Sequence, residues 1–196
     1  MPRDPRIIVA GGIYHVFARG NNKQNIFVDT VDRSIYLHAL TASFKLLKVR
    51  LLAYVLMSNH VHLVLQITEP NMDEAMYRLH SLYAHRFNRR HGRIGHTFNN
   101  RYKSRIIVDD AYLLEATCYV HLNPVDARLV AHPRDYPWSS YRQYVEPPRR
   151  NQLIDPNPVL SLLTNDHIRS REVYEQFVMT EMHRQGRQRQ SVARRS

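Results

Sequence analysis

Two kinds of hydrophobic pattern follow one another along the first two-thirds of the chain. The segments 12–19, 49–56 and 60–67 are short, rich in β-branched and other apolar residues and bounded by turn residues, as is typical of strands. Only a tight turn at Ser58-Asn59 separates the second segment from the third. These two strands are therefore predicted to pair as an antiparallel hairpin.

Three longer segments carry apolar residues at the 3.6-residue spacing of an amphipathic helix. They cover about residues 30–48, 71–91 and 110–123, and each begins beside an Asp or Asn that can cap its N-terminus. The third helix is expected to end near Asn123, because Pro124 disfavours a helical conformation in the residue before it.

A fourth strand is predicted within residues 98–108, which completes the order β-α-β-β-α-β-α. This order predicts an α+β fold in which an antiparallel sheet carries helices on one face. We assign residues 1–145 to this domain. Residues 146–183 are predicted to form a helical C-terminal extension, with helices at about 157–164 and 165–184. Residues 184–196 are basic with almost no apolar side chains, so we expect a disordered tail.

The charge of the chain points to a polyanionic partner. Its 196 residues include 28 Lys and Arg against 17 Asp and Glu, a formal net charge of +11. Nucleic acid is the first candidate partner and an anionic membrane surface the second. The sequence contains no apolar run long enough to span a membrane and no secretory signal, so we expect a cytoplasmic protein. Cys118 is the only cysteine, which excludes an intrachain disulfide and a cysteine-based zinc cluster.

His60 and His62 form a candidate metal site. They lie two residues apart in the third predicted strand, so their imidazoles project side by side from one face. A closed zinc site would need two further His or carboxylate ligands. An open site with one oxygen ligand suits catalysis better, and it would suit Mg²⁺ or Mn²⁺.

Tyr119 and Asn123 complete the candidate chemistry. They are four residues apart on the third predicted helix and therefore share a face. The Asn123 amide oxygen is a suitable hard ligand, and the Tyr119 phenol beside a metal-bound phosphate is a candidate nucleophile. The alternative is that the histidines and Tyr119 are ordinary packing residues, since a helical tyrosine is usually half-buried in a core.

Together these segments resemble the HUH endonucleases, named for two histidines around a hydrophobic residue. Asn59-His60-Val61-His62 and the segment from Tyr119 to Val125 are most similar to the REP-associated tyrosine transposases, a group of single-tyrosine HUH transposases. The resemblance covers about residues 8–145. Other matching segments are 14–16, 19–21, 87–92, 95–103 and 137–141.

The resemblance implies a ferredoxin-like antiparallel sheet and a divalent metal, Mg²⁺ or Mn²⁺, held by His60, His62 and Asn123. It implies that Tyr119 cleaves single-stranded DNA, leaving a 5′-phosphotyrosine and a free 3′-OH that can rejoin strands. The implied substrate is a palindromic element that folds into a hairpin, and the implied location is the nucleoid. The extension beyond residue 145 favours a monomer over a homodimer.

The basic residues near these motifs are candidate DNA contacts, because Lys and Arg supply most of the affinity for phosphate and aromatic rings stack on unpaired bases. The candidates are Arg19, Arg89, Arg90, Arg101, Tyr102, Lys103 and Arg105. Two alternatives stay open. One is a non-catalytic basic nucleic-acid-binding module, and the other is a different HUH enzyme such as a relaxase or replication initiator.

Overall fold

The computed structural model describes residues 7–150, 152–166 and 168–193, and within them it contains a four-stranded antiparallel sheet. The strands run in the order β2-β3-β1-β4, which is the ferredoxin-like order in which β1 and β3 are central. They are Ile13–Arg19 (β1), Val49–Leu56 (β2), His60–Ile67 (β3) and Lys103–Ile107 (β4). The predicted α+β class and antiparallel sheet are confirmed.

Three helices connect or follow these strands: Thr30–Leu46 (α1), Met72–Arg90 (α2) and Asp110–Asp126 (α3). Two of them are capped by an aspartate that lies beside the predicted start of the helix, Asp29 for α1 and Asp109 for α3. The Asp29 carboxylate accepts hydrogen bonds from the backbone N–H groups of Val31 and Asp32, and the Asp109 carboxylate accepts from that of Tyr112. Each cap satisfies donors that the first helical turn leaves unpaired.

The predicted end of α3 near Asn123 is wrong, because the helix continues through Pro124 to Asp126. The proline lies in the last turn, where its missing N–H removes a single backbone hydrogen bond. The end of the helix is closed by hydrogen bonds from Ala127 N–H to the Asn123 carbonyl and from Leu129 N–H to the Pro124 carbonyl. Asn123 therefore stays on a regular helical turn below Tyr119.

The two faces of the sheet have different chemistry, because alternate residues of a strand point to opposite sides. One face is apolar and buried, and it includes Tyr14, Val16, Ala18, Val61, Leu63 and Leu65. The other face carries His15, Phe17, Arg19, His60 and His62. α3 lies across this second face and is the helix that meets the histidines, whereas α1 packs against α2 and β2.

The segment after α3 covers the open edge of β2. The Leu56 N–H donates to the Trp138 carbonyl, and the Ser140 and Asp155 N–H groups donate to carbonyls of β2. Two short helices lie in this segment, Tyr141–Val145 (α4) and Asn157–Leu160 (α5). Pairing the edge in this way removes a surface that would otherwise bind a strand of another chain.

The last helix, Arg169–Ala193 (α6), packs against α3, α4 and α5. A disordered tail is predicted from residue 184, whereas in the structure the helix continues to Ala193. Residues 194–196 lie outside the described part. Once its first turns are docked, a helix extends at little cost through good helix formers such as Gln and Arg. Within the described residues, none of the helices has the length and apolar content needed to cross a membrane.

Candidate active site

The turn between β2 and β3 leads directly into His60, which lies on the same face of the sheet as His62. This turn is formed by Ser58 and Asn59. Its backbone is held by the segment after β1, since the Ser58 carbonyl accepts from the N–H groups of Ile26 and Phe27. The Gly20 N–H donates to the Asn59 carbonyl over 2.8 Å. A Cβ at Gly20 would overlap the Gln24 carbonyl oxygen, so the close approach of these loops requires glycine.

The two predicted metal ligands lie side by side. The ring centroids of His60 and His62 are 5.2 Å apart, with the ring planes at 90°. Nε2 of His60 lies 3.2 Å from Oδ1 of Asn123, the predicted third ligand. The strand and the last turn of α3 therefore bring Asn123 to the two histidines, a grouping that the family resemblance implies.

Tyr119 lies directly over the second histidine. Its ring meets that of His62 edge to face, with centroids 5.4 Å apart. The side chain is 43% exposed, although its neighbours Cys118 and Val120 are buried. The phenol is therefore both beside the candidate metal ligands and open to a substrate.

His15 is a member of the site that reasoning from the sequence did not single out. It projects from β1, and its Nε2 lies 2.9 Å from Nδ1 of His62. Its ring also meets that of Tyr119 at a centroid distance of 5.7 Å. Two signals in the sequence could have indicated it: His15 lies in the segment 14–16 that matches the family, and a histidine alternates with apolar neighbours in the first strand.

Burial keeps these imidazoles neutral. Desolvation, with the nearby charges of His15 and His60, lowers the pKa of His62 to about 3. Desolvation and the Arg105 guanidinium lower the pKa of His15 to about 4. Desolvation also lowers the pKa of His60. Neutral imidazole is the form that ligates a metal, so the site is ready for a cation at neutral pH.

The donor set fits a divalent metal in an open site. In the part of the chain that the structure describes, no three His, Cys, Asp or Glu side chains are grouped to hold a metal ion. The candidate donors, two imidazoles and the amide oxygen of Asn123, would suit Mn²⁺ or Mg²⁺ and would leave positions for water and phosphate.

Three of the predicted DNA-contacting cations share the histidine face. Arg19 lies opposite His60 on the neighbouring strand, and in β4 Lys103 and Arg105 lie opposite Phe17 and His15. All three cations are exposed. Arg105 also lines a cavity of about 380 Å³ beside Tyr119, together with His15, Phe17, His62, Tyr112, Glu115 and Ala116. These cations share the sheet face that the phenol meets, and exposed guanidinium and ammonium groups are able to receive a phosphodiester backbone.

Two of the predicted DNA-contacting residues have other partners in the structure. The Arg90 guanidinium forms ion pairs with Asp29 and with the buried Asp32, so it is engaged in holding α1 to α2. Tyr102 is buried and donates its hydroxyl to Asp73, so its ring is not available to stack on a base, contrary to the prediction. Arg89 and Arg101 are exposed but are not among the residues that line the Tyr119 cavity.

His121, which follows Tyr119 by two residues on α3, has a packing role. His121 is fully buried on the opposite side of α3, where its two nitrogens are hydrogen-bonded to the Tyr174 hydroxyl over 2.7 Å and to Ser140 Oγ over 2.8 Å. The i+2 spacing from Tyr119 already directs it away from the nucleophile.

Comparison with protein families identifies the class of the protein. The model of the family described as IS200-like transposase matches residues 8–123, so the chain belongs to this family. A search of curated proteins finds no match.

Among solved structures, the chain is similar to a REP-associated tyrosine transposase bound to a REP hairpin. The TM-score is 0.65 at 17% identity, covering 79% of this chain and 94% of that one. A candidate transposase from Deinococcus radiodurans is more distant, with a TM-score of 0.41 at 20% identity over 57% of this chain and 91% of that chain. The first similarity confirms the fold.

Proposed function

We propose that this member of the transposase family is a metal-dependent single-strand DNA endonuclease and strand transferase whose nucleophile is Tyr119. The observation that carries the proposal is the placement of an exposed phenol directly over His62, beside the donor set of His60, His62 and Asn123. A tyrosine that only filled the core would be buried, as its neighbours Cys118 and Val120 are.

The proposed reaction is an in-line transfer of a phosphoryl group. Oη of Tyr119 attacks the phosphorus of a DNA phosphodiester, the P–O3′ bond breaks, and the 3′ oxygen leaves and takes up a proton as the phenol loses one. The products are a 5′-phosphotyrosine and a free 3′-OH. Attack of a 3′-OH on the phosphotyrosine reverses these bond changes and joins strands.

Different residues of the site would bind the metal, bind the DNA phosphates and position the phenol. His60, His62 and Asn123 would hold Mg²⁺ or Mn²⁺, which supplies Lewis-acid stabilisation of the charge on the phosphoryl oxygens. Arg105 and Lys103 bind neighbouring phosphates and orient the strand. α3 holds the phenol on a rigid element, which favours attack in a fixed direction.

The proposed substrate is single-stranded DNA that carries a hairpin. Support comes from the exposed cations on the histidine face and from the similar solved structure, which is named as bound to a REP hairpin. Such a substrate would place the protein on the nucleoid in the cytoplasm.

We also propose that the protein acts as a monomer. Tyr119 packs against His62 of its own chain, so nucleophile and ligands are assembled without a second copy. This arrangement would not need a partner subunit to complete the site.

Two alternatives account for less of the structure. A non-catalytic nucleic-acid-binding module would explain the basic face but not the convergence of Tyr119, His60, His62 and Asn123. A relaxase or replication initiator would share the site chemistry, but the family to which the chain belongs is that of IS200-like transposases.

The proposal is tested by incubating the protein with a hairpin oligonucleotide and Mn²⁺, followed by a denaturing gel. The wild type is expected to yield a covalent protein–DNA band, and Tyr119→Phe to yield none while still binding the oligonucleotide. Tyr77→Phe is the matched control, since Tyr77 is an exposed tyrosine on α2. An undiminished band from Tyr119→Phe would show that the nucleophile is another residue.

A further inference from the structure

The Nδ1 atoms of both candidate metal ligands are held by neighbouring side chains. Nδ1 of His60 lies 2.7 Å from Oδ1 of Asn59. Nδ1 of His62 lies 2.9 Å from Nε2 of His15. In a neutral imidazole one nitrogen carries a hydrogen and the other a lone pair, so these contacts decide which nitrogen can bind a metal.

Asn59 sets the tautomer of His60 through its own orientation. Its Nδ2 donates to the Lys23 carbonyl over 3.1 Å, which leaves Oδ1 as the atom that faces the imidazole. An amide oxygen only accepts, and the contact to Asn59 is the shorter of the two amide contacts of His60, so the geometry favours the hydrogen on Nδ1 and the lone pair on Nε2. That lone pair points at Oδ1 of Asn123, another acceptor, 3.2 Å away. Two acceptors facing each other are unfavourable unless a cation lies between them.

His15 contacts Nδ1 of His62 as Asn59 contacts Nδ1 of His60. The hydrogen bond between the two rings has one hydrogen, and it can be donated by either side chain. Only when His62 donates from Nδ1 does its Nε2 keep a lone pair for a metal. His15 is buried on a central strand, paired with Val64 on one side and Arg105 on the other, so its Nε2 is held within hydrogen-bond distance of His62 and is able to accept this hydrogen.

We propose that Asn59 and His15 are positioning residues of the metal site, each accepting the Nδ1 hydrogen of one histidine so that Nε2 of His60 and His62 is presented to the metal. This inference rests on the proposed function, because it takes His60 and His62 as the ligands. Metal-binding histidines in proteins characteristically donate their second nitrogen to such an acceptor, and loss of the acceptor weakens metal binding.

The first test is made on metal-free protein. Long-range ¹H–¹⁵N correlation spectra of histidine-labelled protein distinguish the two neutral tautomers, and His60 and His62 are expected to carry their hydrogen on Nδ1. Asn59→Leu should shift His60 towards the Nε2-protonated form and leave His62 unchanged, and His15→Leu should do the reverse. A merely structural role for either residue would leave the tautomers unchanged.

The second test is Mn²⁺ affinity, measured by calorimetry or by the loss of the free-ion electron paramagnetic resonance signal. Asn59→Leu and His15→Leu are each expected to weaken binding roughly 10–100-fold. Asn59→Asp and His15→Gln retain an acceptor and should keep most of the wild-type affinity. His38→Ala is the control, since His38 is exposed on α1.

The outcomes separate this inference from the proposed function. If the wild type and His60→Ala bind Mn²⁺ equally, the proposed metal site itself is wrong. If His60→Ala loses the metal but Asn59→Leu and His15→Leu bind it like the wild type, only the positioning roles are wrong. Equal losses in Asn59→Leu and Asn59→Asp would assign Asn59 to support of the loop at Lys23 instead.

Discussion

The phenol ring of Tyr119 stands edge-on to the imidazole of His62, with the two ring planes at 86°. This contact joins α3 to β3, one of the two central strands, so the distance between the proposed nucleophile and the proposed metal ligand is set by two rigid elements rather than by a loop. Sites held on helices and strands keep reacting groups in the narrow range of geometry that catalysis needs.

Removal of either histidine ligand should abolish metal-dependent cleavage. His60→Ala and His62→Ala each lose one of three protein donors, and we expect the cleavage rate to fall by roughly 100-fold or more. Oligonucleotide binding should change little, because phosphate contacts supply most of that affinity. Gel-based cleavage assays over a range of Mn²⁺ concentrations measure the effect, with His38→Ala as control. Cleavage that persists after exhaustive chelation would contradict the metal scheme.

A site completed within one chain predicts the result of mixing two inactive variants. His62→Ala lacks a proposed metal ligand and Tyr119→Phe lacks the proposed nucleophile, and the partner protein cannot make good either loss if each monomer uses its own residues. Equimolar mixtures should therefore form no covalent adduct, and light scattering should report a monomer. Activity recovered on mixing would show that Tyr119 acts on the site of a partner subunit.

The cations of β4 should govern the salt dependence of DNA binding. Lys103→Ala and Arg105→Ala each remove one phosphate contact, so the slope of log affinity against log salt should decrease by about 0.7 for each on single-stranded DNA. Fluorescence anisotropy at several salt concentrations measures this slope.

Arg90→Ala is the informative comparison for these β4 variants. Its guanidinium pairs with the carboxylates of Asp29 and Asp32, and the latter is fully buried. We therefore expect the variant to lower the free energy of unfolding while leaving the salt slope close to that of the wild type. A reduced slope with unchanged stability would mean that Arg90 contacts DNA after all.

The periodicity of the sequence was sufficient to predict the strands and the helix on which the candidate site residues lie. β2 and β3 have the predicted bounds, and the i, i+2 and i, i+4 spacings placed His60 and His62 on one face of β3 and Tyr119 and Asn123 on one face of α3. These relations hold inside one strand or one helix, where periodicity alone determines which side chains share a face.

The parts that the sequence did not predict depend on contacts between distant segments. His15 reaches the site through the pairing of β1 with β3. The Arg90 guanidinium binds the carboxylates of Asp32 and Asp29, which lie 58 and 61 residues away along the chain. The same holds for Tyr102, whose burial against α2 follows from the docking of the loop before β4. Spacing along the chain contains no information on such pairs.

The buried histidines predict a loss of stability in acid. His121 is fully buried, and desolvation lowers its pKa from 6.5 to about 3. Between these two values the unfolded chain binds a proton that the folded chain does not, so the free energy of unfolding must fall as the pH is lowered from 6.5 towards 3. His62 and His15 add to this slope because burial lowers their pKa values to about 3 and about 4. Urea unfolding monitored by circular dichroism at several pH values measures this dependence of the free energy of unfolding on pH.

His121→Gln removes one buried histidine with a lowered pKa. The free energy of unfolding of this variant should therefore fall less steeply than that of the wild type, by up to about 1.4 kcal/mol per pH unit. His38→Gln should keep the wild-type slope, and an unchanged slope for His121→Gln would mean that His121 is protonated in the folded protein.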